Sequence, residues 1–195
     1  MRAIRLAAFA LLPLAAALSA CVSVTANDYS DRPERAAPGD FGEATLKDAT
    51  GAAVGRAILT QGPTGLLIRV EVDGLTPGWH GMHIHAVGDC AAPFTSAGAH
   101  VNHGDPKAAH GLLNAEGPDD GDLPNIFADA DGHAHAELFT TRARIARAGP
   151  GQWLWDADGS ALVIHAAADD HASQPIGGAG ARSVCGVMAA GQAGR

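Results

Sequence analysis

Residues 66–72, Leu-Leu-Ile-Arg-Val-Glu-Val, place Leu66, Ile68, Val70 and Val72 on one side of an extended chain and Leu67, Arg69 and Glu71 on the other. This alternation is the strongest strand signal in the sequence, and a strand with one apolar face must bury it against further layers. Residues 44–48, 54–59, 78–85, 125–130, 133–140, 161–165 and 184–189 read as partners of the same kind. They are separated by turn dipeptides such as Asp73-Gly74, Pro77-Gly78, Asp131-Gly132 and Asp158-Gly159. With 25 Gly and 11 Pro in 195 residues, punctuation of this density favours short strands over helices. The expected fold is all-β, an eight-stranded antiparallel Greek-key barrel or sandwich. Residues 88–124 and 166–183 are irregular and too long for ordinary connections, so they are expected to be two functional loops.

Within the strand at 78–85, His83 and His85 project to one face and Ile84 to the other, and two imidazoles on one face can share a metal ion. His100 follows after a loop, and Val163-Ile164-His165 repeats the apolar-then-His pattern near the far end of the chain. His133 and His135 also share a face but lie just past a hairpin turn, and they read as exposed surface. The formal net charge of minus eight argues against a nucleic-acid partner, which needs a basic surface. A small anionic substrate stays compatible, because local field steers it more than net charge.

The N-terminus carries a targeting pattern. Arg2 and Arg5 precede an apolar run at 6–18, too short to span a bilayer, followed by Leu18-Ser19-Ala20-Cys21. That tetrapeptide resembles a bacterial lipobox, which implies cleavage before Cys21, acylation of Cys21 and a membrane tether through lipid. The expected organisation is a lipoprotein signal peptide at 1–20, a flexible linker at 21–40 and a folded domain at 41–195. The implied location is the bacterial cell envelope, lipid-anchored and facing the periplasm. If Cys21 is acylated, Cys90 and Cys185 remain as one possible disulfide in an oxidising space, with free thiols or a metal-site role as the competing readings.

Five segments in order, Gly81-Met82-His83-Ile84-His85, Thr95 through His100, Gly121-Asp122-Leu123-Pro124, Leu162-Val163-Ile164-His165 and Gly178 through Val187, resemble the copper,zinc superoxide dismutase family. The likeness covers about residues 44–188. It implies a superoxide dismutase that disproportionates superoxide to dioxygen and hydrogen peroxide at a redox-cycling copper beside zinc. The implied copper ligands are His83, His85, His100 and His165, and imidazole nitrogen suits that ion. His100 is the implied bridge to zinc and proton donor, and Arg182 the implied guide for the anion. Asp169 corresponds to the carboxylate that links a copper histidine to a zinc histidine, here His83 and His110. Cys90 and Cys185 match the family's disulfide.

The implied zinc set is His100, His110, Asp122 and a histidine three residues before Asp122. This chain has Asp119 there. Asp is a permitted zinc donor, so His100, His110, Asp119 and Asp122 still make four, with one more negative charge than the usual set. His103, in a segment two residues longer than the family pattern, is a possible substitute donor. A copper-only enzyme is the alternative for the zinc site, and a non-catalytic copper-binding or buffering protein on the same fold is the alternative for the function. A homodimer is a possible assembly.

Overall fold

The computed structural model describes residues 41–104 and 106–191, so the expected signal peptide at 1–20, the expected linker at 21–40 and Cys21 lie outside the described residues. Eleven strands occur among them: β1 Phe41–Asp48, β2 Ala53–Gln61, β3 Leu66–Val72, β4 Gly78–His80, β5 Met82–His85, β6 Ile126–Ala128, β7 Ala134–Thr140, β8 Ala143–Arg144, β9 Gln152–Trp153, β10 Ser160–His165 and β11 Arg182–Ala190. All eight expected strands are present. One of them is interrupted at Gly81 into β4 and β5, and the short parallel pair β8–β9 is additional.

Seven strands form an antiparallel sheet in the order β5-β10-β11-β1-β2-β3-β7. Its two ends are joined by a second pairing, β4 with β6. β4 runs into β5 across Gly81, and β6 turns into β7 where the Asp129 amide donates to the His133 carbonyl. The sheet therefore curls round on itself into a barrel, which leaves few open strand edges.

The alternation at β3 does what the sequence requires: Leu66, Ile68, Val70 and Val72 are buried, while Arg69 and Glu71 face outward and pair with Glu137 and Arg56 on neighbouring strands. β10 is buried on both faces. Leu162 and Ile164 enter the main core with Leu46, Leu59, Ile68, Met82 and Ile84. Ala161 and Val163 point the other way, into a smaller cluster with Phe94, Ala97 and Cys185. A second apolar layer thus seats the loop of residues 86–125 against the outside of the barrel. The Cys90–Cys185 disulfide fastens the same loop to β11.

One boundary differs from expectation. β11 begins at Arg182, inside the segment expected to be loop, because β10 and β11 stay paired through a register shift that sets His165 opposite Arg182. Asp131 and Gly132 form the expected turn, and His133 and His135 are exposed. His133 pairs with the Asp73 carboxylate.

Candidate metal centre

β5 is the fixed rail of the site. One edge pairs with β10, setting His83 opposite Val163 and His85 opposite Ala161. On the other edge, the Ile84 amide donates to the Gly121 carbonyl at 2.8 Å, and the Ile84 carbonyl accepts from the Val101 amide at 2.9 Å. A Cβ at Gly121 would stand 2.2 Å from the Ile84 carbonyl oxygen, so only glycine lets the loop close on the strand. The closure places His100 beside His85 and Asp122 beside His83.

His165 has the same parity on β10 as Val163, so it leaves the barrel on the side where His83 and His85 emerge. Ring centroids of His83 and His100 are 4.1 Å apart, His83 and His165 4.9 Å, and His85 and His100 5.0 Å. In each ring one nitrogen is committed. His83 Nε2 donates to Asp169 Oδ2 at 2.8 Å, His85 Nδ1 to the Gly98 carbonyl at 2.9 Å, His165 Nδ1 to the Gly180 carbonyl at 3.1 Å, and His100 Nδ1 to Asp119 Oδ2 at 3.0 Å. The other nitrogens, His83 Nδ1, His85 Nε2, His100 Nε2 and His165 Nε2, are buried without a hydrogen-bond partner. An unpaired buried polar atom is costly, and four in one group of side chains fit a metal ion that takes four imidazole nitrogens.

Electrostatics separates these four rings. Burial lowers the pKa of His83 and His165 to about 4, and that of His85 to about 2. All three are neutral at pH 7, as metal ligation requires. Burial acts on His100 in the same direction, but the carboxylates of Asp119 and Asp122 outweigh it and raise its pKa to about 9.

A second donor group adjoins the first. His83, His100, His110 and Asp122 offer ligand atoms within 4.8 Å of one another. His110 Nδ1 is 2.5 Å and His100 Nδ1 3.5 Å from Asp122 Oδ1. Asp119 Oδ2 touches His100 Nδ1, while its Oδ1 accepts from the Gly121 amide. His100, His110 and Asp122 therefore converge, donors that zinc accepts, and Asp119 reaches this group through its contact with His100 Nδ1. Burial raises the pKa of Asp119; that of Asp122 is lowered, because contacts with His100 and the Gly111 amide overcome burial.

Asp169 joins the two groups. Its Oδ2 accepts a hydrogen bond from His83 Nε2 and its Oδ1 one from His110 Nε2 at 3.2 Å. Burial opposes the charge, yet hydrogen bonds from His83, the His171 amide and His110 hold its carboxyl well below the usual carboxylate range. The loop packs so closely here that a Cβ at Gly177, which has φ of 59°, would overlap Asp169 Oδ1.

The family described as Copper/zinc superoxide dismutase (SODC) matches residues 53–188. The chain is 52% identical over 146 residues to the Cu-Zn superoxide dismutase of Caulobacter vibrioides, covering 74% of this chain and 83% of that one. The chain belongs to the copper/zinc superoxide dismutase family. It is also 40% identical over 147 residues to Cu-Zn superoxide dismutase 2 of Aquifex aeolicus, with 74% and 84% covered. Among solved structures, a SOD-like protein from Bacillus subtilis aligns with a TM-score of 0.69 and 35% identity, covering 74% of this chain and 95% of that one. The Cu/Zn superoxide dismutase from Brucella abortus aligns with a TM-score of 0.61 and 30% identity, covering 75% and 98%. Copper and zinc are the cofactors of the family.

Within this superoxide dismutase fold, Arg182 stands beside the four-histidine group. Its guanidinium donates to the carbonyls of Phe94 and Gly98, and the Gly98 carbonyl also holds His85. Phe94 adopts a left-handed backbone, with φ of 71°, on the segment that presents that carbonyl. His103 does not join either donor group. Its side chain is half exposed, with Nε2 3.9 Å from an Asp156 carboxylate oxygen, and its amide faces Asp120. His80 is buried between the carbonyls of His165 and Thr76, in keeping with a structural role. His171 sits against Asp169, at 3.4 Å from Oδ2.

Sequence reasoning missed the amides that fix the loops. Asn125 donates to the Asp169 carbonyl at 2.8 Å and accepts the Asp169 amide at 3.0 Å. Gln174 does the same for His110. No periodicity marks a side chain that binds backbone 44 or 64 residues away.

Proposed function

We propose that this chain is a superoxide dismutase whose copper is held by His83, His85, His100 and His165 and whose zinc is held by His100, His110, Asp119 and Asp122. The observation that carries this reading is the set of four buried imidazole nitrogens without partners, next to an arginine. Bound copper supplies the one-electron redox chemistry that converts two superoxide ions to dioxygen and hydrogen peroxide. Arg182 supplies a fixed positive fork for the anion, aligned by two carbonyls before substrate arrives. His100 presents Nδ1 to the carboxylates of the zinc group and Nε2 to the copper histidines, so Nε2 is the nitrogen placed to hold a proton on the substrate side whenever it is not bound to copper. Asp169 holds His83 in the tautomer that presents Nδ1.

Copper buffering on the same fold would need the four histidines but not Arg182. Metal analysis of the purified protein, with a dismutation assay before and after copper removal, separates the two readings. Activity that is lost with copper and restored with it is expected. Full copper without activity would overturn the enzyme reading.

The same proposal includes the envelope tether through lipid on Cys21, supported by Leu18-Ser19-Ala20-Cys21. Detergent-phase partitioning that Cys21→Ser abolishes is its test. It also includes self-association. Trp79 and Phe127 pair edge to face on β4 and β6 with 58% and 52% of their surfaces exposed, and a second copy would cover them. Sedimentation of the wild type and Trp79→Ser decides between monomer and dimer.

A further inference from the structure

His110 is buried, yet it lies in an irregular segment, and neither its amide nor its carbonyl has a strand partner. Buried backbone groups need partners, and for this residue they are side-chain amides. Gln174, from the loop of residues 166–181, accepts the His110 amide on Oε1 at 3.1 Å and donates from Nε2 to the His110 carbonyl at 2.8 Å. A carboxamide carries the same acceptor and donor as a peptide unit, so Gln174 serves as a one-residue substitute for an adjacent strand. Asn114 Nδ2 adds a second donor to the His110 carbonyl at 3.1 Å. Both amide nitrogens also reach the Ala172 carbonyl, each at 3.3 Å. The two loops are therefore stapled at the backbone of His110, where the Leu113 amide also donates to the His171 carbonyl.

We propose that Gln174 is a positioning residue that fixes the backbone of His110 so that its Nδ1 points at the zinc donors. The inference rests on the reading of His110 as a zinc ligand. The His110 ring is steered by Asp122 and Asp169, but a ring can satisfy both only if its Cα is held at the right place and angle. Gln174 acts on that variable and touches no ligand atom. Neither an ester-like acceptor alone nor a shorter amide can do the same: Glu lacks the donor, and Asn lacks a methylene of reach. The Gln174 residue itself is exposed, so its truncation removes the clasp without opening the core.

The test uses the full metal-loaded protein and measures zinc release to a chromophoric chelator, with the Cu(II) electron paramagnetic resonance spectrum and the urea midpoint of the metal-free protein recorded alongside. Gln174→Ala is expected to release zinc about 10-fold faster or more, the range found when groups behind a ligand are removed. Gln174→Glu, which keeps the acceptor but turns a carboxylate oxygen toward the His110 carbonyl, is expected to release zinc at least as fast as Gln174→Ala. The urea midpoint should be unchanged. Zinc release within twofold of wild type in Gln174→Ala would overturn the proposal. So would a parallel loss of urea midpoint and of both metals, which marks a merely structural role. His110→Ala tests the underlying reading separately, since zinc retained there removes His110 from the site whatever Gln174 does.

Discussion

Replacing Asp169 by Asn keeps the shape of a fully buried side chain and removes one acceptor. The structure states which metal should suffer. Two donors converge on Oδ1, His110 Nε2 at 3.2 Å and the His171 amide at 2.6 Å, whereas on Oδ2 the hydrogen bond is that of His83 Nε2 at 2.8 Å, with the His171 ring in looser contact at 3.4 Å. An asparagine therefore keeps its oxygen at the Oδ1 position and turns its NH2 toward His83. Two N–H groups cannot face each other, so His83 must rotate or move its proton to Nδ1, the nitrogen assigned to copper. The lost contact is a buried hydrogen bond to a charged group, about 1.5–3 kcal/mol. That corresponds to about 10- to 150-fold in copper affinity. Competition with chelators of graded affinity measures both ions: Asp169→Asn should weaken copper and largely spare zinc, whereas Asp169→Ala should weaken both. Copper affinity within twofold of wild type, or zinc weakened more than copper in Asp169→Asn, would refute the reasoning.

Arg182→Ala should lower the dismutation rate by about 10-fold or more and flatten its salt dependence, read by stopped flow at several ionic strengths; wild-type kinetics would remove the steering role. Asp119→Ala should leave zinc well below one ion per chain by elemental analysis, and unchanged stoichiometry would exclude Asp119 as a donor. Reduction-proof Cys90→Ser opens a loop closed across 95 residues, an entropic loss of about 4.7 kcal/mol that urea unfolding should approach. In the metal-free protein, His83, His85 and His165 have folded pKa values below the ordinary 6.5, so the unfolded chain takes up protons first as pH falls. Stability should decline from pH 6.5 toward 4, with a further share from His85 down to about 2. His100 adds nothing in that window, because with a folded pKa of about 9 it is protonated in both states below 6.5. A flat urea midpoint between pH 6.5 and 4 would contradict this assignment.

The fold was legible where burial is one-sided. β3 alternates because one face meets the core and the other meets water, and the shared face of His83 and His85 follows from the same period. β8–β9 was not legible, since two paired residues carry no periodicity. Arg182 reads as loop in the sequence because a register shift next to His165 has no compositional mark, yet that shift is what sets Arg182 opposite His165. At the site, residues of the ligand types stood out, and the structure brings His83, His85, His100, His110, His165, Asp119, Asp122 and Asp169 together. The partners that hold them were invisible. The carbonyls of Phe94, Gly98 and Gly180 belong to backbone, and Asn125 and Gln174 act across long separations.

The outward aim of His83, His85 and His165 separates two histories within one molecule. Leu162, Ile164, Met82 and Ile84 close the interior of the barrel with no ligand among them, so the framework can assemble before either ion arrives. Loading then becomes an event of the two covering loops, and a chain stripped of every ligand should still build its barrel. Substitutions that spoil the metals and substitutions that spoil the framework fall on alternate residues of the same strands, which makes neighbouring positions on β5 and β10 answer to different pressures.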